Sequence, residues 1–126
     1  MMDDIKQKVE QTLANMSKQM NGKLSRSAQL AAEVMPEMIL EHAANNNYAM
    51  PKEGGALDNE TRTLIYLGIA LATNSMGCIE SMMNKARVLN IPKEKILETF
   101  KIARFAQATH VMGNAEKVFQ HLKDEW

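Results

Sequence analysis

Residues 57–100 read LDNETRTLIYLGIALATNSMGCIESMMNKARVLNIPKEKILETF, and this stretch decides the fold. Asp58 stands where a helix N-cap belongs, and the residues after it predict a helix over about 59–73. Leu64, Ile65, Tyr66, Leu67, Ile69, Ala70, Leu71 and Ala72 leave that helix almost no polar face. A helix apolar all round is buried on all sides. One small subunit can hardly surround it alone, so the pattern predicts a homo-oligomer with a subunit interface as the second wall. Thr73-Asn74-Ser75 breaks the run, and a second helix is predicted over about 75–89. Its first turn carries Cys78, the only cysteine, where the positive end of the helix dipole favours thiolate while Glu80 opposes it.

Working outward, Asn90-Ile91-Pro92 ends that helix and starts another, with Pro92 at a first helical position. Ile96, Leu97, Phe100 and Ala103 carry its apolar face to about Ala108, and a last helix is expected near 112–124. Upstream, Ile5, Val9, Leu13, Met16 and Met20 form one helical stripe that Asn21-Gly22 stops. Ser25 or Ser27 can cap the next helix, which Pro36 breaks or kinks near Met35. A helix to about Ala44 follows, ended by Asn45-Asn46-Asn47, and residues 45–56 are expected to be loop. The expected architecture is all-α, a single domain of six or seven helices over residues 1–126.

Composition agrees. Only three Phe, two Tyr and one Trp occur among 126 residues, so Leu, Ile, Ala and eleven Met must fill the interior, which suits helices better than sheets. Fifteen basic and fifteen acidic residues cancel, and no basic stripe forms, which argues against nucleic acid and anionic membrane as partners. A single cysteine closes no internal disulfide. The N-terminus is charged, and the longest apolar run, Leu64 to Ala72, is too short to span a bilayer, so a cytoplasmic protein is expected. No histidine has a Glu three residues before it, His-Glu-x-x-His is absent, and no phosphate loop or dinucleotide fingerprint occurs. Neither a metal nor a cofactor is expected.

In order along the chain, Leu57-Asp58, Arg62, Leu64, the apolar helix, Cys78-Ile79, Ala86, Glu94, Ile96, Glu98 and Ile102-Ala103 fall in step with a known pattern. From Leu57 to about Gly113 the chain resembles the carboxymuconolactone decarboxylase family, which includes the alkylhydroperoxidase D proteins. The resemblance implies a helical fold around a central antiparallel hairpin, and trimers or hexamers with sites near interfaces. In the hydroperoxidase branch, two cysteines cycle through a disulfide while a Glu and one or two His move protons. Carried over, the first cysteine is Ser75 here and the second is Cys78. The histidine positions are Gly77 and Met82, and the relay glutamate is Thr63. Serine closes no disulfide, and Met and Thr are not general bases, so the two-cysteine cycle is closed to one chain. The decarboxylase branch loses its histidine at Met82 as well, and nothing pairs Lys85 or Arg87 with a base.

Two readings remain. Cys78 can act alone as the nucleophile of a thiol-dependent peroxidase, with an external thiol as reductant and His110 as a candidate replacement base. Alternatively, Cys78 is a small buried residue of a catalytically degenerate oligomer that binds a small apolar ligand or a protein partner. Met76, Met83 and Met112, with Met82, flank the cysteine segment and are candidates to line an adaptable apolar pocket. His42 and His121 look like ordinary helix-end and surface residues.

Overall fold

The computed structural model describes residues 2–126. The described residues form seven helices and no strand: α1 (Met2–Gln19), α2 (Arg26–Val34), α3 (Pro36–Ala49), α4 (Asn59–Ala72), α5 (Met76–Val88), α6 (Lys93–Asn114) and α7 (Glu116–Glu125).

Sequence chemistry sets most of the ends. Asp58 caps α4, its carboxylate accepting the Thr61 N–H at 2.7 Å, and the Ser25 hydroxyl accepts the Ala28 N–H at the start of α2. Pro36 opens α3 after a break at Met35, as its missing N–H allows. Asparagine does much of the stopping. Asn21, Asn74 and Asn90 take left-handed φ values of 55–57° after α1, α4 and α5, a conformation asparagine adopts more readily than most side chains. Gly22 shares the first of these turns at φ +75°.

Two expected boundaries move. The Asn45-Asn46-Asn47 triplet does not end its helix; α3 runs on to Ala49. Asn costs only about 0.7 kcal/mol per helical position, and the effective stop is Met50, which Pro51 drives out of the α region. Likewise α6 does not end near Ala108. It continues through Gly113 to Asn114, and one residue, Ala115, separates it from α7. His110 therefore lies inside α6 rather than at the start of the last helix.

α1 and α2 pack on α3, and α4 packs on both α5 and α6, with α1 touching α5 between the two groups. α6 runs parallel to α4. Lys95 reaches Glu60 near their starts, and Gln107 Nε2 donates to the Ala72 carbonyl at 2.6 Å near the end of α4, both at an offset of 35 residues. Gly68 lies between these ties, where an added Cβ would stand 3.6 Å from Thr99, so the two helices approach closely.

Arg62 pins the loop that precedes α4. Its guanidinium donates to the Pro51 carbonyl and to Asn59 Oδ1, each at 2.7 Å, and to the carbonyls of Gly54 and Leu57. The loop turns through Gly54 and Gly55, both at positive φ, and a Cβ on Gly55 would come within 3.0 Å of Arg62 Nη1.

The core is thin. Val9 and Ile39 are buried in the first group, and Leu67, Ala70, Met82, Ala86, Ile91 and Ala103 in the second. The chain exposes 9778 Å², whereas a compact monomer of its mass exposes about 6,700 Å². The excess concentrates on identifiable helices. Ile65 and Ile69 leave one side of α4 open, so within the subunit this helix is not buried on all sides as its composition predicts. Phe105, Val111, Met112, Val118, Phe119 and Leu122 leave the end of α6 and all of α7 as an arm with an uncovered apolar surface.

Candidate thiol site

The turn between α4 and α5 brings together two residues twelve apart. Tyr66, half-buried on α4, places its hydroxyl 3.2 Å from Cys78 Sγ in the first turn of α5. Ser75 is the N-cap residue of α5, yet its side chain makes no capping bond. The Ser75 hydroxyl, and after it the Tyr66 phenol, hold the Cys78 thiol below its ordinary value, against the opposing effect of burial. The same contact, with burial, pushes the Tyr66 phenol up, so Tyr66 keeps its proton and remains a donor. Cys78 itself is partly exposed.

The thiol opens onto a cavity of about 720 Å³ between the N-terminal helices and the α4–α5 pair. Tyr66, Ser75, Gly77, Cys78, Ser81 and Met82 form one wall. The opposite wall comes from α1, α3 and their flanking loops, and includes Asn15, Met16, Met20, His42, Asn46 and Lys52. A cavity of this size is in the range that takes small organic ligands. No Asp or Glu lines it. Among the described residues no group of three His, Cys, Asp or Glu is placed to hold a metal ion.

Each residue singled out in the sequence now has a place. Ser75, Gly77 and Met82, which stand at the family's first cysteine and its two histidines, all line the cavity beside Cys78. Thr63, at the relay glutamate position, is 1% exposed and donates back to the Asn59 carbonyl at 2.8 Å, so it offers the cavity nothing. Of the flanking methionines, Met83 lines a smaller hollow with Arg87 and Ile96, while Met76 and Met112 are exposed and lie outside the thiol cavity. The methionines in the cavity are Met16, Met20 and Met82. His110 is exposed on α6, shares a 3.2 Å contact with Asn114, and does not line the cavity. His121 pairs with Glu125 on the surface, whereas His42, read as ordinary from sequence, is the histidine that faces the cavity.

Tyr66 is the cavity side chain beside Cys78 that the sequence does not single out, because it sits in a run of Leu, Ile and Ala and reads as core. The available signal was its hydroxyl, since a buried tyrosine usually finds a polar partner.

No curated protein sequence matches the chain. The family model for the carboxymuconolactone decarboxylase family matches residues 36–121, more than half of the chain, from α3 into α7. That span takes in the Asp58 cap, the Arg62 clamp and the Cys78 turn, and the chain belongs to the carboxymuconolactone decarboxylase family.

Proposed function

We propose that the protein is a one-cysteine, thiol-dependent peroxide reductase. The observation that carries this reading is the Tyr66 hydroxyl 3.2 Å from Cys78 Sγ at the edge of a ligand-sized cavity. The thiolate, favoured by Ser75 and Tyr66, attacks the terminal oxygen of a hydroperoxide ROOH. The O–O bond breaks, Cys78 becomes the sulfenic acid, and the alkoxide leaves as ROH after taking a proton. Tyr66 supplies that proton and is recharged from water. An external thiol then condenses with the sulfenic acid, because Ser75 cannot act as the resolving sulfur.

The antiparallel pairing of α4 with α5 serves, in this reading, as the family's central hairpin. The working unit is a homo-oligomer, a trimer or hexamer, in a reducing, cytoplasmic setting. The excess of about 3,000 Å² over a compact monomer's surface supports assembly, since obligate interfaces bury 2,000–5,000 Å². The uncovered face of α6 and α7 is where further copies of the chain would seat. No helix among the described residues is long and apolar enough to cross a membrane.

A second reading is ligand binding without chemistry, favoured by the loss of the family's acid–base groups at Thr63, Gly77 and Met82. Alkylation of Cys78 against pH, with and without peroxide pretreatment, separates the two. A peroxidase gives rapid labelling with a midpoint below the free-thiol value of about 8.5, blocked by peroxide and restored by thiol. Labelling only after unfolding would leave the binding protein.

A further inference from the structure

Two cations lie along the thiol hairpin without a counter-ion. Arg62 is one helical turn before Tyr66 on α4, and Lys85 is seven residues after Cys78 on the same face of α5, about 10 Å along the axis. Arg62 is 9% exposed and bonds only carbonyls and an amide oxygen, and its Nε has no acceptor at all. Lys85 is half-buried, and neither residue makes an ion pair among the described residues. Burial first, and the charge of Arg62 after it, push the Lys85 ammonium down.

The cavity repeats the pattern. It has no carboxylate and one lysine, Lys52, and its far wall carries four primary amides, Asn15, Gln19, Asn46 and Asn47. Such a wall offers donors and acceptors suited to peptide bonds, while Lys52, with no carboxylate on the walls to offset it, repels a cationic ligand and attracts an anionic one. The protein as a whole has no net charge, so this bias is local to the site.

We infer that the thiol partner of Cys78 is an acidic, peptide-like, low-molecular-weight thiol, held by the amide wall and by Lys52 while its sulfur meets Sγ. This rests on Cys78 being a reactive thiol, as in the proposed function, but not on its reaction with peroxide. In the peroxidase cycle, one thiol RSH condenses with the Cys78 sulfenic acid to give the mixed disulfide and water. A second RS⁻ attacks the ligand's sulfur in that disulfide, releasing RSSR and the Cys78 thiolate. The reverse-direction entry needs no peroxide: the thiolate attacks RSSR, forms the same mixed disulfide and expels RS⁻.

The test uses that entry. Reduced protein is mixed with glutathione disulfide (acidic), bis(2-hydroxyethyl) disulfide (neutral) or cystamine (cationic) at low ionic strength. Mixed disulfide on Cys78 is followed by intact mass, and each rate is divided by that of the urea-unfolded chain to remove intrinsic reactivity. The expected folded-to-unfolded ratio is about tenfold higher for the acidic probe than for the cationic one, and collapses in 0.5 M salt. Lys52→Gln should cut the preference by roughly two- to fivefold, and Lys85→Gln, whose residue stands off the cavity wall, should cut it less. Lys52 lies in a loop, so its variant keeps the test valid if the Lys85 variant folds poorly. Equal or inverted ratios, or a preference indifferent to Lys52, overturn the inference. Reduction of the mixed disulfide by a protein dithiol but not by glutathione also overturns it. Acidic preference without peroxide turnover supports the thiol site and sinks the peroxidase reading alone.

Discussion

Phe105→Asp separates the stability of the subunit from that of its assembly. Phe105 is 72% exposed on α6, alongside the last turn of α4. Within one subunit it makes little contact, and surface substitutions of this kind stay within about 0.5 kcal/mol. In the proposed oligomer the ring is covered by another copy. Covering a phenylalanine is worth about 2 kcal/mol, so truncation alone weakens each interface roughly thirtyfold at 1.4 kcal/mol per decade. A carboxylate seated without a partner in the same place adds several kcal/mol more. Light scattering over a concentration series is the assay. The native chain is expected at a multiple of 14.1 kDa at micromolar concentration, and the Phe105→Asp variant at 14.1 kDa with its helical circular dichroism retained. The native melting temperature should rise with protein concentration and that of the variant should not. A native chain that is monomeric at 100 μM, or a variant that assembles normally, refutes the reasoning. The 9778 Å² surface would then be one that the protein carries in solution.

Two further perturbations probe the site and its support. Ser75→Ala and Tyr66→Phe each remove a hydroxyl that favours the Cys78 thiolate, so the midpoint of thiol alkylation should move to higher pH in both. Because the folded-state value is depressed, thiolate formation stabilises the fold fully above the unfolded thiol's titration, and that contribution is lost as pH falls through the folded value. The pH-dependent part of the stability in this window should therefore shrink in both variants; an unchanged difference would refute the assignment. Arg62→Met deprives three loop carbonyls and Asn59 Oδ1 of their donor and should cost about 3 kcal/mol by urea melting, with the 51–57 segment becoming the first site of proteolysis. Gly55→Ala should destabilise by more than 1 kcal/mol through its +82° φ and the approach to Arg62 Nη1, and a neutral result would mean that the loop relaxes freely.

The fold was largely legible because its signals are local. The Asp58 cap, the Pro36 break and the Asn21-Gly22 and Asn90 stops act within a few residues, and each sits where the chain chemistry puts it. The misplaced end of α3 has a local cause: Asn45-Asn46-Asn47 are weak helix residues, not breakers. Their cost of about 0.7 kcal/mol each is small beside what packing and neighbouring turns supply.

The site was less legible because its geometry is made by pairs distant in sequence. Cys78 was found as the only thiol, and its helix-start position was correctly read, but the groups that tune it are Ser75 and Tyr66. From the sequence, Ser75 reads only as a lost cysteine and Tyr66 only as apolar surface. The cavity's far wall comes from α1 and α3, which carry no motif, and no periodicity reveals that Asn15 and Asn46 face Cys78 across a gap.

Substitution at the family's catalytic positions has a structural logic. Losing the first cysteine to serine removes the resolving sulfur yet leaves a hydroxyl at the same helix start, within reach of Cys78. Losing the histidines at Gly77 and Met82 removes the bases, and a phenol on α4 occupies the hydrogen-bonding role from the other side. A thiolate held by two neutral donors needs no base to deprotonate it near its own titration point, and a phenol that keeps its proton can still serve a leaving alkoxide. What such a site lacks is a way to close its own cycle. In the proposed cycle, chemistry at Cys78 draws its second sulfur from outside, and the carboxylate-free cavity with Lys52 on its wall is where that thiol would be chosen.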